Sequence, residues 1–140
     1  MVRMKNRYLA AAITSLAFPH RKIAMVSGPR QCGKTTMAKM MLAGRGLGGY
    51  HNWDEFEFRR AWAKSPDSLV PTPGRRKVPL VVLDEIHKDR FWKRNLKGLY
   101  DTIETRCDFL VTGSARLNVY RRSSDSLLGR YYHFRLHPFS

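Results

Sequence analysis

The sequence predicts an α/β fold in which a mostly parallel five-stranded sheet carries helices on both faces. Two observations predict it. Five short strand-like runs alternate along the chain with segments whose apolar residues recur at helical spacing. Three of the runs, Lys22–Ser27, Leu80–Leu83 and Phe109–Thr112, are almost wholly apolar, the signature of strands covered on both faces.

The elements follow in order. Arg7–Phe18 reads as an amphipathic helix ended by Pro19. Its apolar stretch after Arg3, Lys5 and Arg7 lacks the small-x-small site of a cleaved leader. Lys22–Ser27 is the first strand, and Lys34–Ala43 a helix whose methionines fill core space. Gly44–Gly49 reads as a turn, and Tyr50–Trp53 as a weak strand. Asp54 is placed to cap a helix over Glu55–Lys64. Ser65–Lys77, with three prolines and Arg75-Arg76-Lys77, reads as an exposed loop. Leu80–Leu83 is the clearest strand. Phe91–Thr105 is a helix, because Trp92, Leu96, Leu99, Tyr100 and Ile103 share one face. Phe109–Thr112 is the fourth strand, Ala115–Arg121 a helix and Tyr131–Leu136 the last strand. All 140 residues suit one domain, with residues 1–20 as an N-terminal helical segment and 21–140 as the sheet and its helices.

Charge is the unusual quantity. Lys and Arg number 26 against 11 Asp and Glu, a net +15. The first 50 residues hold nine Lys or Arg, and the first carboxylate is Asp54. Such an excess suits polyanions, whether nucleotide phosphates or nucleic acid. It equally suits a piece of a larger protein whose other part carries the acid. No aromatic–basic interleaving or helix-turn-helix pattern adds to the nucleic-acid reading, which rests on the N-terminal region and Arg75–Lys77. Two cysteines, Cys32 and Cys107, are too few for a disulfide scaffold or zinc cluster. The histidines show no metal-ligand spacing. With no apolar run near the roughly 18 residues of a membrane span, no membrane partner and a cytoplasmic location are expected.

The strongest chemical signal is Gly28-Pro29-Arg30-Gln31-Cys32-Gly33-Lys34-Thr35, the G-x-x-x-x-G-K-T of a phosphate-binding loop, or Walker A motif. Glycines let the backbone turn its N–H groups toward phosphate oxygens, and the following helix aims its positive end there. The residues from Gly28 to Thr36 are the expected nucleotide contacts. Lys34 is expected at the β- and γ-phosphates, and Thr35 at Mg²⁺. The second signal is the apolar run Leu80–Leu83 ending in Asp84-Glu85, a Walker B pattern. Asp84 is expected to hold Mg²⁺, directly or through water, and Glu85 to act as general base on the attacking water. A glutamate directly after that aspartate points to hydrolysis rather than transfer. The absence of an N-K-x-D motif points to ATP rather than GTP. Thr112 and Ser114, at the next strand end, are candidates to sense the γ-phosphate or the water. Turn chemistry explains each singly as well. Of Arg121, Arg122 and Arg130, the last is the favoured arginine finger, by analogy with fingers supplied in trans.

On these residues the chain resembles the prokaryotic AAA-type ATP-binding proteins of the AAA_14 kind. The matching stretches are Arg7-Tyr8-Leu9, Ser27–Thr36, Leu83–Lys88, the helix from Trp92 to Asp101, Leu110–Leu117 and Ser126–Ser140. The resemblance implies a three-layer α/β/α core of five parallel strands, the P-loop strand lying between later ones. It implies Glu85 as catalytic base and a sensor at Thr112–Ser114. Members are longer, adding a helical lid and a C-terminal domain, often of restriction-endonuclease-like type. This chain stops after the fifth strand, so hydrolysis is expected to need those parts or a neighbouring subunit. A nucleotide-binding switch or scaffold without turnover is the alternative expectation, and a nucleic-acid-associated ATPase a third.

Overall fold

The structure, a computed structural model, describes residues 8–29, 33–72, 77–114 and 129–136. Five strands are present: β1 (Ile23–Ser27), β2 (Gly48–Asn52), β3 (Leu80–Asp84), β4 (Asp108–Gly113) and β5 (Tyr131–Arg135). All pair in parallel, in the order β2-β3-β4-β1-β5. The P-loop strand β1 therefore lies between β4 and β5, as expected.

Strand alternation sorts the core into two layers. Ile23, Met25, Val81, Leu83, Phe109 and Val111 face one side, where α3 (Phe56–Lys64) and α4 (Trp92–Thr102) cover them with Phe58, Trp62, Trp92, Leu96 and Leu99. Ala24, Val26, Leu80, Val82 and Leu110 face the other, against Met37 and Ala38 of α2 (Lys34–Arg45) and Ile13, Ala17 and Phe18 of the N-terminal segment.

That segment is helical over residues 8–12, here α1, then continues as a π turn (Ile13–Ala17) and a 3-10 turn (Phe18–His20). Pro19 thus does not end the helix at Phe18. It occupies the first turn of the 3-10 piece, where its missing N–H costs no hydrogen bond. The helical run stops instead at Arg21, which turns left-handed with φ 56°.

Other boundaries move, among them the helix expected over Phe91–Thr105, which spans Trp92–Thr102. α2 runs to Arg45 and closes at Gly46, which is left-handed and donates to Leu42 O at 3.0 Å. The expected turn at Gly44–Gly49 shortens accordingly, and β2 starts at Gly48. There φ is 140°, and a Cβ would lie 1.9 Å from Leu80 O, so only glycine lets β2 sit against β3. Asp54 is not a cap. α3 starts after Glu55 without a side-chain cap, and Asp54 pairs with Lys88 at 2.8 Å. Within the expected loop, Pro66–Leu69 forms a 3-10 turn, and Leu69 and Val70 pack on the core. The helix expected at Ala115–Arg121 lies outside the described residues.

Candidate functional site

Register builds the site. Asn52 lies opposite Asp84, Asp84 opposite Thr112, and Val26 opposite Thr112. The C-terminal ends of β1, β2, β3 and β4 therefore form one rim, where the chain leaves β1 with Gly28 N–H donating to Gly113 O at 3.2 Å.

Asp84 is 2% exposed and accepts three hydrogen bonds. Thr35 Oγ1 donates to Oδ2 at 2.9 Å, the Tyr50 hydroxyl donates to the same oxygen, and Thr112 Oγ1 donates to Oδ1 at 2.8 Å. Asn52 Nδ2 donates to the Tyr50 hydroxyl oxygen at 3.3 Å. Partial burial, with the Asp84 bond adding to it, pushes the Tyr50 phenol up to about 12. Tyr50 stays protonated at neutral pH and remains a donor. Lys39 Nζ lies 4.8 Å from its ring centroid.

Lys34 is 6% exposed. Its Nζ donates to Gly28 O at 2.5 Å and Pro29 O at 2.9 Å, and among the described residues no carboxylate pairs with it. A buried ammonium held by carbonyls alone is a site for an anion. Gly33, left-handed at φ 92°, directs the chain from the loop into α2. Thr36, one residue past Thr35, is exposed in the first turn of that helix. Arg30, Gln31 and Cys32 lie outside the described residues.

Glu85 leaves β3 in a left-handed conformation with φ 61°. A non-glycine residue there carries about 1–3 kcal/mol of strain, which the surroundings must hold. They do so by backbone bonds from Glu85 N–H to Thr112 O (2.9 Å) and from Lys88 N–H to Glu85 O (3.1 Å). The Glu85 side chain is 22% exposed, and its Oε2 is 3.4 Å from His87 Nε2. Ser114 Oγ is 3.3 Å from the same nitrogen. Ser27 and His133 meet across β1 and β5 at 2.7 Å.

Lys34, Thr35, Asp84, Glu85, Thr112 and Ser114 thus share one rim with the described ends of the loop. Arg130 does not. It precedes β5, at the opposite edge of the sheet, where its Nε and a terminal nitrogen grip Asp101 at 2.9 and 3.1 Å. Asp101 is held below its ordinary pKa by that pair and by Lys97. Arg130, expected as a finger by analogy with those supplied in trans, therefore lies away from this chain's own rim. Arg121 and Arg122 lie outside the described residues.

The AAA-domain family profile AAA_14 matches residues 20–140. The chain belongs to this AAA-domain family. Membership supports nucleotide binding by this AAA domain. The helicase domain of Pyrococcus furiosus Hef is similar in structure, with a TM-score of 0.55 at 13% identity over 96% of this chain and 38% of that one. C. elegans PCH-2 gives 0.50 at 15% identity, over 97% and 39%. At such identities the likeness concerns the fold alone. The chain spans under two fifths of either structure's length. No curated protein matches it. Among the described residues no helix of this AAA domain is long and apolar enough to cross a membrane.

Sequence reasoning missed Tyr50 and His87. Tyr50 stood on the weakest strand, and only its register against Val82 puts the ring on the Asp84 side of the sheet. His87, two residues past Glu85, was legible as a neighbour but had no partner in sequence.

Proposed function

We propose that the chain binds ATP with Mg²⁺ on this rim and hydrolyses it, Glu85 acting as general base. The observation that carries the reading is the meeting of Thr35 and Asp84 at 2.9 Å, 49 positions apart, beside a buried Lys34 that pairs with no described carboxylate.

The residues fit the metal. A hydroxyl and a buried carboxylate are hard oxygen donors, and Mg²⁺ takes one or two such groups and completes its shell with water and phosphate. Thr35 and Asp84 would hold it, and when bound it neutralises charge between the β- and γ-phosphates. Tyr50 and Thr112 orient the Asp84 carboxylate. Lys34 and the loop N–H groups bind the phosphates. Glu85 lies outside the Asp84 hydrogen-bond network, so its carboxylate can accept a proton from water as the water oxygen attacks phosphorus.

The test is ATP turnover with Mg²⁺ by the wild type and by Glu85→Gln. Glutamine keeps the shape and loses the base, so turnover should fall about 100-fold or more while nucleotide binding persists. An unchanged rate excludes the base role. Binding without turnover by the wild type, even at high protein concentration, selects a nucleotide-dependent switch instead.

A further inference from the structure

α4 opens with two aromatic residues that the fold treats in opposite ways. Trp92 is 6% exposed and packs with Leu96 and Leu99. Phe91, one position earlier, is 49% exposed. Two guanidinium groups lie against that ring. The Arg94 guanidinium carbon lies 4.5 Å from its centroid and that of Arg90 5.5 Å. Lys93 Nζ sits 5.6 Å from the adjacent Trp92 ring. One nearby carboxylate, Asp89, is already engaged by neutral donors. Its Oδ2 accepts from Trp62 Nε1 at 2.8 Å and Asn95 Nδ2 at 3.0 Å, and its Oδ1 accepts from the Phe91 N–H at 3.0 Å.

We propose that the first turn of α4 is a docking surface for single-stranded nucleic acid, with a base stacked on Phe91 and Arg94 and phosphates on Arg90 and Lys93. An exposed ring alone suits any apolar partner, and a cation cluster alone suits any polyanion. The two within one ring's reach suit a chain that alternates flat bases with phosphates. A duplex keeps its base faces inside and offers only charge. An acidic peptide offers charge without a stacking face. The net +15 of the chain favours a polyanion over a neutral partner. This places the nucleic-acid surface on Phe91 rather than on the N-terminal region or Arg75–Lys77, and shows aromatic–basic interleaving that becomes visible only once burial separates Phe91 from Trp92. Phe91 lies six residues beyond Glu85, so a bound strand would touch the segment leaving the proposed base. Binding requires no nucleotide, so the proposal stands apart from hydrolysis.

The experiment is fluorescence anisotropy of a labelled oligothymidylate titrated with the full chain, without nucleotide, across a salt series. Binding should weaken linearly on a log–log salt plot. Phe91→Ala should weaken it roughly 5- to 150-fold, the range for one lost base stack, and Phe91→Trp should retain it. Arg90→Ala should reduce both the affinity and the salt slope, the slope by about 1. Duplex DNA, polyphosphate and polyglutamate should each compete more weakly than unlabelled oligothymidylate. Wild-type affinity in Phe91→Ala would overturn the proposal. So would equal competition by any of the three stacking-free polyanions. Because Phe91 is largely outside the core, a native circular dichroism spectrum is expected for each variant.

Discussion

At the scale of single residues, Asp84 organises the site. It is reached by donors from the loop helix, from β2 and from β4, so its carboxylate is fixed before any ligand arrives. Tyr50→Phe should remove one of these bonds and cost about 1 kcal/mol, since Tyr50 is only partly buried. The sign with pH is definite. Folding raises the phenol's pKa from 10.0 to about 12, so the folded chain holds this proton more tightly than the unfolded one. The contribution is full below pH 10 and is lost as pH rises from 10 through 12. Denaturant melts of both proteins across that range should show their stability difference shrinking. Glu85 carries strain instead. Glu85→Gly should relieve its left-handed backbone, so stability should hold or rise by up to about 1 kcal/mol while turnover disappears. Thermal melts beside turnover assays separate the two effects. That Lys34, Thr35, Asp84 and Glu85 share one rim was legible in the sequence, because a G-x-x-x-x-G-K-T stretch after a strand and an acidic end on another strand are recognised by residue type and spacing. Tyr50 was not, because a side chain's face depends on register, and register is a property of two strands.

At the scale of elements, the buried strands were legible because parallel strands covered on both faces must be apolar throughout. Boundaries were less so. Asp54 looked like a cap because composition favours it, yet Lys88 holds it elsewhere. Pro19 looked like a stop because proline ends α-helices, yet a 3-10 first turn accepts it. β2 was the weakest strand in sequence, since Gly48-Gly49-Tyr50-His51-Asn52 lacks β-branched residues. Its place depends on close approach rather than propensity. Gly48→Ala should therefore be costly, by about 3 kcal/mol or more, since the new Cβ meets Leu80 backbone at a φ that L residues avoid. Amide exchange in β2 should accelerate before that in β4. Preserved β2 protection would show that the strand can slide away without loss.

At the scale of the whole molecule, alternating strands and helices, a rim of polar strand ends and a family match over residues 20–140 converge on one nucleotide-binding core. ATP with Mg²⁺ should raise the melting temperature by mass action, about 2.7 kcal/mol of stabilisation at a hundredfold excess over Kd. The central claim is that Lys34, Thr35 and Asp84 form that site together. Calorimetric titration of ATP with Mg²⁺ into the wild type and Lys34→Ala tests it most directly. One saturable site is expected in the wild type, and its loss in the variant. Equal binding by both proteins, or none by the wild type, would contradict it.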